Sequence, residues 1–97
     1  MKRTYPNQAD EGLRRVLLAD AVNADLLHHL LTIGAEDLRN HQPSREFNEG
    51  DRIVLAHYLA DGDRGQERQL LAHMPQLDRV TTRGEYSLIL ADAAREL

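Results

Sequence analysis

Cysteine is absent from these 97 residues, which excludes a disulfide framework and any thiolate zinc site. That absence fits a reducing compartment, and the cytoplasm is the expected location. Tryptophan is also missing, Phe47 is the lone phenylalanine, and aromatics make up 4% of the chain. A core must therefore be built from Leu, Ile, Val and Ala. No apolar run approaches the length that spans a bilayer, and none follows Lys2 and Arg3 as in a secretory leader; neither membrane insertion nor secretion is expected. The six glycines are dispersed, so no loop gathers the several that a phosphate cradle needs. Clustered positive charge is lacking too. The formal net charge is -4, and the cations fall in separated pairs, Arg14 with Arg15, Arg64 with Arg68, Arg79 with Arg83. Direct nucleic-acid binding through phosphate neutralisation is disfavoured on that balance.

What is present suits one small helical domain over residues 1–97. The length supports a single core, and an apolar fraction of 41% is enough to fill it. Nearly all the cations are Arg, Lys2 being the exception, a bias expected of a GC-rich bacterial or phage source. Helix starts are legible from side chains that accept a hydrogen bond from first-turn amides. Asn7 precedes a helix over 8–22, Asn48 one over 49–60, and Asp63 one over 64–74. Thr82, with Glu85 three residues later, forms a capping box before a helix over 83–97. A further helix is expected after Asn23, carrying Leu26, Leu27, Leu30 and Leu31 and ending near Gly34 or Arg39. Leu13, Leu17, Ala24, Leu27, Leu31 and Leu38 would also share one stripe if residues 8–38 were a single helix. Asn23 as a cap favours two. Residues 40–47, with Pro43, form the most loop-like stretch, and no strand is expected because alternation of apolar and polar residues never persists. The fold class is therefore all-α, with four to five short helices in a compact bundle or a stack of two-helix repeats.

An internal echo supports the second arrangement. The segment from Glu11 and Gly12 to Val16 and Leu17 is repeated from Glu49 and Gly50 to Val54 and Leu55, and again from Gly84 to Leu88, Ile89 and Ala93, at offsets of 38 and 34 residues. Such periods are typical of stacked two-helix units. Residues 25–36, with Leu26, Leu27, Leu30, Leu31, Gly34 and Ala35, are similar to the Leu-rich second helix and Gly-Ala-Asp ending of an ankyrin repeat; residues 84–91 resemble its glycine and first helix. The chain departs from that pattern where the family carries Thr-Pro-Leu-His, and at Met74 and Pro75. The resemblance implies a binding scaffold and no catalytic centre.

The residues that could carry chemistry fall short of a complete site. His28 and His29 are adjacent and point about 100° apart on a helix, so they do not chelate one ion. His57 and Asp61, one turn apart, supply two ligands or an acid–base pair, short of the four that a closed metal site needs. Residues 61–65 open like a calcium loop, but Gln66 and Ala72 occupy the positions that require Gly and a bidentate Glu. A turn at Gly62 followed by a cap at Asp63 accounts for the same residues. Ser44 near His41 lies in a loop with no third group to orient it. No catalytic residue, metal or cofactor is expected.

Apolar surface in excess of one stripe is the remaining signal. From Ile53 to Ala60 only His57 is polar, which predicts a helix that is central or covered on both sides. Leu18, Val22 and Leu88 fall off the main apolar faces and are candidate contacts for a protein partner or a homodimer seam. Glu36, Asp37, Glu46, Glu49 and Asp51 would give such a patch an acidic rim, favouring a basic or nucleic-acid-associated protein partner. The expected function is a non-catalytic helical interaction module acting as adaptor, inhibitor or regulator, one version being a phage or mobile-element inhibitor of a host complex. Two alternatives are a small helix-turn-helix DNA-binding regulator and an enzyme or metal protein using His57 and Asp61.

Overall fold

The computed structural model describes the backbone of residues 5–97 and the side-chain surroundings of residues 23–97. Helix α1 spans Tyr5–Asn40, strand β1 Glu46–Phe47, α2 Glu49–Ala60, α3 Arg64–His73, β2 Thr81–Thr82 and α4 Arg83–Arg95. The all-α expectation holds, with one addition and two corrections. The addition is a two-residue antiparallel ladder, Glu46 opposite Thr82 and Phe47 opposite Thr81, too short to leave an alternating pattern in the sequence.

The first correction concerns residues 8–38, which lie within one continuous helix. Neither Asn23 nor Gly34 interrupts it. Leu27, Leu31, Ala35 and Leu38 recur at three- and four-residue spacing and are all buried, chiefly against α4, so tertiary burial outweighs the modest helix propensity of Asn. Gly34 sits inside the helix because α2 approaches closely there: a Cβ on it would lie 3.0 Å from Leu59 Cδ1. The side chains of Leu18 and Val22 lie outside the described residues, and Asn7, expected to precede the first helix as its cap, falls within α1, which already includes Tyr5.

The second half of the chain follows its capping chemistry. Asn48 Oδ1 accepts from the Asp51 amide while Asp51 Oδ2 accepts from the Asn48 amide, each at 3.0 Å. Thr82 and Glu85 make the same reciprocal pair at the start of α4. Asp63 accepts from Gln66 N at 2.9 Å to open α3. Between α2 and α3 the chain turns through Asp61 (φ 50°) and Gly62 (φ 90°), the helix-ending turn anticipated from Gly62.

The result is two helix–loop–helix units, α1 with α2 and α3 with α4, whose loops meet at the β1–β2 ladder. In each unit the second helix follows a strand, α2 after the single residue Asn48 and α4 directly after Thr82, and carries a capping box and a glycine at its second position. Gly50 and Gly84 thus stand at equivalent places, which gives the 34-residue part of the internal echo a structural counterpart. Beyond the ladder, Arg83 N donates to Arg45 O at 2.9 Å and Gly84 N to Pro43 O at 2.8 Å. Phe47 and Tyr86, one from each unit, stack with ring centroids 4.8 Å apart at the centre of the core. Leu31, Leu38, Leu70, Met74 and Leu90 complete the largest buried side chains.

Candidate interaction surface

Helix α2 is where the second correction falls. Its buried residues are Arg52, Leu55, Ala56, Leu59 and Ala60, a single face. Ile53, Val54 and Tyr58 lie on the other and are 45%, 67% and 72% exposed. The helix is therefore covered on one side only. Composition suggested otherwise because periodicity distinguishes apolar from polar positions, whereas here both faces are apolar and only one meets the rest of the fold.

The buried face is held by an arginine. Arg52, 4% exposed, directs Nε to both Glu49 carboxylate oxygens at 2.8 and 2.9 Å and Nη2 to Glu49 Oε2 at 2.6 Å. Its Nη1 donates to the carbonyls of Leu71 at 3.2 Å and Met74 at 2.9 Å. Glu49 Oε1 also accepts from the Leu77 amide at 2.8 Å. Hydrogen bonds from Arg52 first, then from Leu77, hold the Glu49 carboxyl below its ordinary range. Glu49 thus fastens the end of α3 and the following loop to α2.

Next to the exposed face lies an open groove of about 490 Å³. Leu38, Phe47 and Leu55 form its floor, and Val54 and Tyr58 its lip. Asp37, Glu46 and Asp51 stand around it together with Arg45 and Arg83. Both cations have partners within the chain: Arg83 donates to Asp37 Oδ2 at 3.3 Å and to His41 O at 2.8 Å, and Arg45 to Gln42 Oε1 at 3.1 Å. Of the five carboxylates that the sequence offers for an acidic rim, Asp37, Glu46 and Asp51 come together here. Glu36 instead lines a separate hollow between α1 and α4 with His28 and Arg39. Leu88 is exposed, at 66%, on α4; it occupies the place in its unit that Val54 occupies in the other.

On the opposite flank of α2 a second hollow, about 520 Å³, is lined by His57, Arg64, Glu67, Arg68 and Leu71. His57 Nδ1 lies 2.9 Å from Glu67 Oε1, a partner ten residues along the chain that helical spacing does not reveal. Asp61, which sequence spacing placed beside His57, is the α2 cap, its amide donating to the His57 and Tyr58 carbonyls. The other histidines are dispersed. His28 Nδ1 donates to Ala94 O at 2.7 Å, tying α1 to α4, and His41 Nδ1 lies 3.2 Å from Asp37 Oδ1. Among the described residues no three His, Cys, Asp or Glu side chains surround a common point, and no helix is long and apolar enough to cross a membrane.

Two further titratable groups serve the fold. Glu85 is held below the ordinary carboxylate range by Thr81 and then Thr82, while burial pushes the Tyr86 phenol upward; its hydroxyl donates to Pro75 O at 2.7 Å. No family model, curated protein or solved structure matches this chain.

Proposed function

We propose that this chain is a non-catalytic helical interaction module that binds a protein partner through the exposed face of α2 and the groove beside it. The observation that carries this is the exposure of Val54 and Tyr58 at the lip of an apolar-floored groove. Val54 and Tyr58, with Ile53 on the same face, form a contiguous apolar patch of the kind a partner covers, and each side chain fully covered is worth about 1.5–3 kcal/mol. Asp37, Glu46 and Asp51 outnumber Arg45 and Arg83 around the same groove, a balance that favours a partner presenting a cation next to an apolar side chain. As an adaptor, inhibitor or regulator, such a module works by occupying a surface of its target. Replacing Val54 by Asp and Tyr58 by Ala removes the apolar lip without touching the buried face. A tagged wild-type protein is expected to retain a stoichiometric partner, resistant to nuclease, that the double variant loses while its helical circular dichroism is unchanged. Equal retention by both proteins would reject this surface as the binding site.

A further inference from the structure

No further inference is drawn: the strongest candidate, the exposed apolar face of α2 at Ile53, Val54 and Tyr58 beside the groove, belongs to the surface already described, and nothing in the structure shows what covers it.

Discussion

Arg52 shows how much of this fold rests on one side chain. A guanidinium taken out of water must keep its donors satisfied, and here they go to Glu49 and to two carbonyls at the end of α3. Replacement by Ala would leave the Leu71 and Met74 carbonyls without this donor and the Glu49 carboxylate without its counter-charge. Arg52→Ala is expected to cost about 1–3 kcal/mol in urea unfolding, the penalty of leaving buried carbonyl acceptors without their donor. Arg52→Lys should recover little of it, because a single ammonium cannot reproduce the bidentate fork and the two carbonyl contacts. The lowered carboxyls of Glu49 and Glu85 contribute stability above the ordinary carboxylate range that is lost as pH falls through their folded values. For Tyr86 the sign is opposite: its raised phenol contributes below its ordinary value and that contribution is lost as pH rises past it. At this scale the sequence is least informative. Glu49 and Arg52 sit three apart on a helix, which is readable; that Arg52 reaches Met74 is not, because nothing local records how α3 folds back.

Elements were far more legible where local chemistry governs them. The starts of α2, α3 and α4 follow from Asn48, Asp63 and Thr82, because a cap is a contact within four residues. The unbroken α1 was not, since Asn23 as a cap and Asn23 as a helical residue differ by little until Leu27 and Leu31 have something to pack on. The equivalent glycines separate the two kinds of cause. A Cβ at Gly84 would lie 3.2 Å from the Pro43 carbonyl oxygen, which already accepts from the Gly84 amide, whereas one at Gly50 would meet only the end of the Asn48 side chain at 3.3 Å. Both sites gain the same helix propensity on going to Ala. Gly84→Ala is therefore expected to be less stable than Gly50→Ala by about 1–3 kcal/mol, the cost of overpacking against fixed backbone. Thermal unfolding of the two variants side by side checks it, and equal midpoints would mean that the loop yields freely. The candidate surface is half legible: charge alone singles out Asp37, Glu46 and Asp51, but the apolar run predicts that Val54 and Tyr58 are covered, since a sequence does not say which of two apolar faces the fold uses.

At the scale of the molecule, the two helix–loop–helix units share their hydrophobic interior and cannot be stable apart. The first unit supplies Phe47 and the second Tyr86, stacked at 4.8 Å, and the α1–α4 contact crosses between units at its most extensive. Loop closure adds the β1–β2 ladder and the bonds from Arg83 N and Gly84 N to Arg45 and Pro43. A domain held in this way should unfold in one cooperative step. Phe47→Ala removes the ring from the junction and is expected to cost about 3–5 kcal/mol. Its more telling effect is on both units at once. Helical circular dichroism, which reports all four helices, and tyrosine fluorescence, which includes Tyr86 at the junction, should shift to the same lower midpoint and stay superimposed. If the fluorescence transition moved ahead of the helical one, the units would be melting separately, and the Phe47–Tyr86 stack would be a local contact. Superposition would instead assign cooperativity to the junction, whose Phe47 also lies in the floor of the groove beside Val54 and Tyr58.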